Sequence, residues 1–430
     1  MKKIKVGLIG LIQLNYRGNK EMVFKKSISE MKKLSTELGF EFVYREDFVV
    51  TKQDAVIARK QMEEENVDLL LIQSTSFSSG YLIQELSQTK AYLGLWAVPE
   101  TTKSGPLPLN SFCNMNLNMS ELDRFLKYLG KDAKWFYGYS DDELFKKRIE
   151  ITIRALRAII NLDRSKFLLI GGRAPGFDNL FYDPRILKAK FGVSVEEMEF
   201  ADLRDRIKSQ PEEKIKPIVE EIKSKFTIAD SYTQNSISKM AALIKTIREL
   251  KEEENYEGFA IQCWPRFRTE LGMVPCSSYA YLTDEGITTV CEGDIVSLLS
   301  MKILEYIAGY PSILMDLSDF DRNDNSIFLW HCGIGSKHYA KDGTIKLEKH
   351  FNPGPNDPEK GWLTMAPVTA MKFDEMDVTI ARVTNNLDEF FALEGTFFEN
   401  EDKPDYDGSR GWLGKLKYLG EEVKVVDLIN

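Results

Sequence analysis

Histidine and cysteine are scarce in this 430-residue chain, which has three histidines and five cysteines. The cysteines form no C-x₂-C pair, which argues against a zinc finger or ribbon. Their odd number favours a reducing, cytoplasmic location over a disulfide framework. A Walker sequence and a G-x-S-x-G elbow are also missing, and no run of about 18 apolar residues predicts a transmembrane helix. We therefore expect neither a membrane protein nor a thiolate-rich metal domain.

An excess of positive charge is absent as well. Lys and Arg number 57 against 66 Asp and Glu, a net charge of −9. Because no basic stripe stands out, we expect no nucleic-acid partner and no membrane partner. The first residues, MKKIKVGLIGLIQL, place lysines before a short apolar run, as a signal peptide does. Gln13 and Asn15 interrupt that run, so we interpret it as a first buried strand.

Strands and helices alternate through much of the chain. Over residues 1–140, continuous apolar strands alternate with helical periodicity, which predicts a parallel, doubly wound sheet. Ligands bind such sheets at the carboxyl ends of the strands, which singles out the loops 13–18, 74–79 and 99–116. A long helix near 141–161 leads to a second unit of the same kind. After about residue 310, short Thr-, Val- and Phe-rich runs predict an antiparallel sandwich or barrel.

We therefore predict the α/β class, with two doubly wound Rossmann-like domains followed by a β-rich (barrel or sandwich) C-terminal domain. The predicted boundaries are 1–140 for the N-terminal α/β domain, 141–308 for the central α/β domain and 309–430 for the β-rich domain. We find no internal repeat and no low-complexity tract.

Two consecutive apolar runs, TTVCEGD and SILMD, each end in carboxylates. Glu292 and Asp316 directly follow these runs, and His331 ends a third apolar strand, FLWH. Two carboxylates and one imidazole suit Mn²⁺ or Mg²⁺ better than a structural Zn²⁺. The alternative is that His331 is a satisfied core residue and that the carboxylates belong to acidic turns.

Neighbouring residues offer further alternatives. Asp294 is placed to cap the helix that follows, and Asp319 and Asp321 are typical turn residues. The four cysteines in the second half of the chain would allow a zinc–thiolate site. Since each lies in an apolar, strand-like run, we favour small buried side chains instead. These cysteines are Cys263, Cys276, Cys291 and Cys332.

Two strand-end motifs are candidates for ligand binding. GGRAPGF, residues 171–177, follows a strand as a phosphate-binding turn would, but Pro175 lacks the N–H that such a turn uses. We favour a plain turn or the wall of a sugar site over a nucleotide-binding loop. In QCWP, Gln262 can hydrogen-bond hydroxyl groups and Trp264 can pack against a sugar ring. An ordinary core tryptophan is the alternative. Trp330, next to His331, is a further candidate for sugar binding.

Together, six motifs resemble the L-fucose isomerase/L-arabinose isomerase superfamily in a short form, by their residues and by their order and spacing along the chain. They are VCEGD, ILMDLSD, FLWHCG, QCWP, GGRAPGF and PLNSFCNMN. The resemblance spans most of the chain. It implies aldose–ketose isomerisation with Mn²⁺, or another divalent cation such as Mg²⁺ or Co²⁺, held by Glu292, Asp316 and a histidine. His331 is the best match for that histidine, with His338 and His350 as alternatives.

The resemblance also implies a homo-oligomer, a hexamer or trimer, whose N-terminal domain completes a neighbour's active site. Arg17 in NYRGN matches the arginine that reaches the sugar there. The expected chemistry moves a proton between C2 and C1 through an enediolate, with Glu292 and Asp316 as the acid/base pair. The alternative is a non-catalytic sugar-binding or regulatory relative. The sugar stays open among fucose, arabinose and anionic sugars such as sulfosugars, for which the arginines at 17, 173, 266 and 268 are candidate ligands.

Overall fold

The computed structural model describes residues 2–130, 132–228, 234–350 and 367–429. The chain forms two compact units, Met1–Ile160 and Asn161–Asn430. The three-domain division at 140/141 and 308/309 stays a prediction about folding units. Within the described residues, no helix is both long and apolar enough to cross a membrane.

The first unit is built on a five-stranded parallel sheet with the order β2-β1-β3-β4-β5. Its strands are β1 Lys5–Leu11, β2 Glu41–Tyr44, β3 Leu69–Ser74, β4 Tyr92–Ala97 and β5 Ala133–Tyr137. Its helices are α1 Lys20–Leu38, α2 Lys52–Glu64, α3 Tyr81–Leu86, α4 Ser111–Leu129 and α5 Glu143–Leu162, the last of which continues into the second unit. This is a doubly wound order, in which the winding direction reverses between β1 and β3.

Local sequence signals explain these elements. Strand β1 is almost wholly buried, which fits its continuous apolar sequence KVGLIGL. Helix α1 begins after Asn19, whose side chain accepts from the Met22 amide, and ends at Gly39 in the left-handed conformation. At the start of α2, Thr51 and Asp54 form a reciprocal capping box.

The second unit begins with a four-stranded parallel sheet of order β10-β9-β6-β7. From residue 166 to 308 the strands are β6 Lys166–Ile170, β7 Ser194–Met198, β8 Thr227–Ile228, β9 Gly258–Ile261 and β10 Thr288–Val290. The helices are α6 Pro184–Phe191, α7 Phe200–Lys208, α8 Glu212–Lys225, α9 Gln234–Glu254, α10 Arg266–Leu271, α11 Cys276–Asp284 and α12 Ile295–Ala308. Relabelled from its own first strand, this sheet also has the order 2-1-3-4, so both parallel sheets wind alike.

The rest of the second unit is a nine-stranded, mostly antiparallel sheet, in which β17 pairs with β12, β16 and β18. Its strands, besides β8, are β11 Asp316–Asp321, β12 Ser326–His331, β13 Lys346–Glu348, β14 Val368–Lys372, β15 Asp377–Val383, β16 Phe390–Phe398, β17 Ser409–Tyr418 and β18 Glu421–Glu422, and helix α13 Val425–Ile429 follows. Leu347 and Val368 share one apolar core with residues of α9 and α11. The predicted fold class, two doubly wound parallel sheets followed by a β-rich region, is confirmed.

One strand prediction was wrong. SILMD was expected to be a strand that ends at Asp316, but strand β11 begins there and pairs with β12. Ile313 and Met315 instead lie, partly buried, in a segment without regular secondary structure that packs against the core of the β-rich sheet. Apolar periodicity does not distinguish such a segment from a paired strand.

Candidate active site

Glu292 lies in a strained turn at the carboxyl end of β10. Its φ is 65°, in the left-handed region that side chains other than glycine rarely adopt, and Gly293 follows with φ 71°. The Ala174 amide donates to the Glu292 carbonyl over 2.9 Å. A Cβ at Gly293 would lie 2.3 Å from the Gly172 carbonyl oxygen, so no larger residue fits. Such strain costs about 1–3 kcal/mol and is concentrated at functional sites.

Asp316 and His331 come from the first two strands of the β-rich sheet. Asp316 begins β11, is exposed, and lies opposite Trp330 in the register with β12. His331 ends β12 and is only 3% exposed. Both lie in the same compact unit as Glu292.

The three groups interact electrostatically. Burial raises the pKa of Glu292 above its ordinary value; His331 opposes this shift, while the negative charges of Asp316 and Asp294 add to it. A carboxylate whose pKa is raised in this way is a stronger base than an exposed one, which suits it to accept a proton from a substrate.

Both ring nitrogens of His331 already have partners. The Cys332 amide donates to Nδ1 over 2.9 Å, and the Cys291 Sγ lies 3.3 Å from Nε2. Burial alone would lower the pKa of His331, but Cys332 and the two carboxylates, Asp316 and Glu292, outweigh it and raise the pKa to about 9. A metal binds only the neutral imidazole, and the single lone pair of that neutral ring, on Nδ1, already accepts from the Cys332 amide. Metal binding by His331 therefore requires its ring to rotate.

The donor chemistry of Glu292, Asp316 and His331 fits a divalent cation such as Mn²⁺, because it offers two carboxylates and an imidazole. Their ligand atoms are less tightly gathered than an occupied site needs. In the part of the chain that the structure describes, the one group of three such residues with ligand atoms within 4.8 Å of one another is Cys276, Cys332 and His350. An ion shared by Glu292, Asp316 and His331 would have to bring these three side chains closer together.

The competing aspartates have structural roles. Asp294 caps α12 by accepting from the Ser297 amide over 2.9 Å, and Arg382 of β15 pairs with it at 3.0 Å. Asp319 accepts from the amide of the next residue, and Asp321 accepts from the Asn323 amide within its turn. The capping role predicted for Asp294 is confirmed. The turn role predicted for Asp319 is wrong, because Asp319 lies inside β11 and pairs with Phe328, whereas Asp321 ends β11 where the turn begins.

GGRAPGF and QCWP follow the two strands between which the second sheet reverses its winding, β6 and β9. Gln262 is 6% exposed, and its Nε2 donates to the Arg173 carbonyl over 2.7 Å. Its Oε1 is buried and lacks a hydrogen-bond partner among the described residues. Trp264 is 41% exposed and packs edge-on against Phe177. A ligand hydroxyl would satisfy the orphan oxygen of Gln262, and the indole is open to a sugar face.

Two other predicted sugar-binding residues lie in different surroundings. The indole N–H of Trp330 donates to the Asp407 carbonyl over 2.6 Å, so only the ring of Trp330 offers a contact. Arg17 is exposed in the first unit, in the loop after β1. A cleft of about 330 Å³ in that unit, at the carboxyl ends of β1 and β3, is lined by Gln13, Asn15 and Ser79 among others.

Sequence reasoning missed Lys20, which is 7% exposed and donates from its amine to the Gln13 and Tyr16 carbonyls. It thereby holds the loop after β1. The sequence did carry a signal for this role. A lysine at the first position of a helix is unfavourable beside the positive end of the helix dipole, so its presence indicates a compensating interaction.

No family model matches the chain. In sequence it is similar to curated proteins named sulfoquinovose isomerase. It is 29% identical over 298 residues to the protein of Alkalicoccus urumqiensis, covering 69% of this chain and 66% of that protein. It is 29% identical over 280 residues to that of Priestia aryabhattai, covering 65% and 62%, and 26% identical over 280 residues to that of Clostridium sp. (strain MSTE9), covering 64% and 62%.

The match therefore spans slightly less than two thirds of the length of these relatives. Among solved structures, the glucose-galactose binding protein GanP from Geobacillus stearothermophilus matches 73% of this chain and 94% of its own at 11% identity. Its TM-score is 0.19, so this likeness carries no argument.

Proposed function

We propose that the protein is a metal-dependent aldose–ketose isomerase that acts through an enediolate, with Glu292 and Asp316 as its acid/base pair. The observation that carries the proposal is the Glu292 turn: a strained, half-buried carboxylate with a raised pKa, coupled to Asp316 and His331. The similarity to sulfoquinovose isomerases over most of the chain supports the same reaction class.

In this mechanism the chain's own residues move one proton. The base carboxylate removes the proton from C2 of the open-chain aldose, and the same or the opposing carboxylate returns a proton to C1. The proton of the C2 hydroxyl also passes to the C1 oxygen, which leaves a carbonyl at C2 and a hydroxyl at C1, a ketose. Glu292 is the better base because burial raises its proton affinity. A positioned acid/base group contributes about 10²–10⁴-fold in rate. The orphan Gln262 oxygen accepts a sugar hydroxyl, and Trp264 packs against the carbon skeleton.

Glu292, Asp316 and His331 are the proposed ligands of the cation, Mn²⁺ or another divalent ion such as Mg²⁺ or Co²⁺. When bound, the ion would act as a Lewis acid that stabilises the developing negative charge on the two sugar oxygens. The donor types support this assignment. To bind the cation, the His331 ring must give up a contact with the Cys332 amide or with Cys291.

The proposed substrate is an aldose that carries a sulfonate, as the names of the relatives suggest. Arg173 is the best candidate to bind that anion. Arg266 is already paired with Glu270 at 2.7 Å, and Arg268 contacts His350. The guanidinium of Arg173 contacts the Asp178 carbonyl and the Phe181 ring, and it forms no ion pair among the described residues. Its backbone borders both Gln262 and the Glu292–Gly293 turn.

The reaction itself is tested by incubating chelated protein, with and without Mn²⁺, with sulfoquinovose and a panel of neutral aldoses in D₂O. We expect ketose formation that needs the cation, with solvent deuterium at C1 of the product. Absence of ketose from every aldose with Mn²⁺, Mg²⁺ and Co²⁺ would contradict the proposal. Ketose that never carries deuterium would indicate a hydride shift instead of the carboxylate path.

Arg173→Gln tests the substrate assignment. A charge-assisted hydrogen bond contributes about 1.5–3 kcal/mol, so KM for the sulfonated sugar should rise about ten- to hundredfold with little change in kcat. Turnover of a neutral aldose should not change. Arg266→Gln is the matched control, because its guanidinium is occupied by Glu270. Equal losses on charged and neutral sugars would remove Arg173 as the sulfonate ligand.

We also propose a homo-oligomer, a hexamer or trimer, in which Arg17 of one subunit serves the Glu292 site of another. The support is the division of residues between units: Arg17 lies in a loop of the first unit, and the acid/base pair belongs to the second. Mixed oligomers of Arg17→Gln and Glu292→Gln subunits should recover activity that neither variant has alone. A fully active monomer in light scattering would contradict the proposal.

A second candidate, a non-catalytic sugar-binding or regulatory protein, is favoured by one observation. Both nitrogens of His331 are engaged, and the three proposed ligands are not gathered within 4.8 Å. Such a protein would bind the sugar without retaining a divalent cation. Metal content after dialysis, together with sugar binding to chelated protein, distinguishes the two candidates.

A further inference from the structure

Four of the five cysteines lie around one buried region of the second unit, outside the role given to the carboxylates. Cys276 Sγ lies 3.4 Å from Cys332 Sγ. The ligand atoms of these two residues and of His350 are all within 4.8 Å of one another. Cys291 interacts with Cys263 and lies 3.3 Å from His331. These residues come from five separate stretches of sequence, so no C-x₂-C pair in the sequence indicates that they lie together.

From this geometry we propose that Cys276, Cys332 and His350 bind a soft divalent cation of the Zn²⁺ class, separate from the cation proposed for the carboxylates. Thiolate and imidazole donors select such ions, whereas Mn²⁺ and Mg²⁺ prefer oxygen. With bonds of about 2.3 Å to sulfur and 2.0–2.1 Å to nitrogen, a tetrahedral ion holds its donors about 3.5–3.8 Å apart. The 3.4 Å between the sulfurs is already close to that spacing.

The local structure favours a thiolate on Cys276, whereas the Cys276 thiol and burial raise the pKa of Cys332, so that a thiolate there depends on the bound cation. Cys276 is the first residue of α11, where the positive end of the helix dipole stabilises a negative charge. Arg268 donates to Nδ1 of His350 over 3.1 Å and adds a second positive charge, so the cation gains the lone pair of this ring by displacing that hydrogen bond. Two thiolates neutralise a divalent ion, so a bound cation would not leave this guanidinium facing net positive charge.

An unpartnered polar group points to the same region. Tyr279 is fully buried, and its hydroxyl has no hydrogen-bond partner among the described residues. Its pKa is raised by burial first and then by Cys263, Cys291, Cys276 and Cys332. A buried hydroxyl without a partner costs about 1–3 kcal/mol, so a fully apolar cysteine cluster is a poor account of this region.

A cation here would fix the residues next to His331, the proposed histidine ligand of the other cation. Cys332 follows His331 directly and donates its amide to that ring. By joining the start of α11, the end of β12 and the segment after β13, the ion would hold the strand end from which His331 projects. We expect it to act as a positioning element, because its three ligands differ from the proposed acid/base pair.

The test uses the full chain, reduced, chelated and reloaded with Co²⁺ as a spectroscopic substitute for Zn²⁺. Thiolate ligation gives a near-ultraviolet charge-transfer band that carboxylate ligation does not give. We expect this band in the wild-type protein, its loss on adding Zn²⁺, and stoichiometric zinc retention after dialysis. Cys276→Ser and His350→Ala should each abolish the band and lower zinc retention at least tenfold.

Two controls separate this site from the carboxylate site. Glu292→Gln should keep the band, and so should Cys113→Ser, which changes an exposed cysteine of the first unit. If the cysteine variants do not fold, X-ray absorption on the wild-type zinc protein must show two sulfur ligands and one nitrogen ligand. The proposal is overturned by a wild-type protein that lacks the band or by a band that survives in both Cys276→Ser and His350→Ala. A Cys276–Cys332 disulfide that remains in the reduced protein would also overturn it.

Discussion

The two parallel sheets wind in the same order, yet their described strand ends differ in the reactive groups that they carry. In the first unit, the edge between β1 and β3 is lined by neutral side chains, and Lys20 satisfies the carbonyls of its loop. In the second unit, the carboxyl ends of β9 and β10 carry an orphan oxygen on Gln262 and the strained Glu292, whose turn lies against the loop after β6. A winding order thus fixes where a ligand can bind, while the loop residues decide whether chemistry can occur there.

The sharpest test of this difference changes one oxygen to nitrogen. Glu292→Gln should lower kcat about 10²–10⁴-fold, because the base is lost while the turn is kept. Activity on the best aldose and the melting temperature are measured side by side. Asp294→Asn, two residues away, is the matched control: it weakens the cap of α12 and its pairing with Arg382, so it should lower stability more than turnover. An active Glu292→Gln variant would contradict the assignment of Glu292 as the base.

Lys20→Met tests the loop after β1 in the first unit. Its amine bonds two carbonyls of the loop after β1, and leaving buried carbonyls unpaired costs about 1–3 kcal/mol. We expect a corresponding fall in the free energy of unfolding, measured by denaturant titration. Lys25→Met, at an exposed position of the same helix, should be close to neutral. If the two variants match, Lys20 does not hold the loop.

The smallest effect we expect is a loss of stability of the wild-type protein as pH rises. The folded-state pKa of Glu292 is raised, so the folded chain binds more protons than the unfolded chain between the ordinary and the raised pKa. The wild type should therefore lose stability as pH rises through that window, and Glu292→Gln should not. In chelated protein the variant should melt higher than wild type at neutral pH and equally at acidic pH. A constant difference would show that Glu292 is not destabilised by burial.

The sequence predicted the parts of the fold that depend on local pattern. The doubly wound sheets follow from continuous apolar strands between amphipathic helices, and Glu292 was found because it follows the apolar run TTVC. Asp316 was placed at the wrong end of a strand, since the apolar residues before it are buried without pairing. The partners of His331 and the approach of Cys276 to Cys332 depend on residues distant in sequence, so no local pattern reveals them.

The two-residue strand β8 limits how this protein can be recombined with its relatives. It belongs to the central stretch of the chain but pairs in parallel with β13, so that Thr227 and Ile228 lie beside Lys346 and Leu347. A chimera that exchanged residues 309–430 alone would graft a foreign β13 onto a native β8. Modular exchange of the β-rich part must therefore carry residues 227–228 with it, although about eighty positions separate them from the nearest sequence junction.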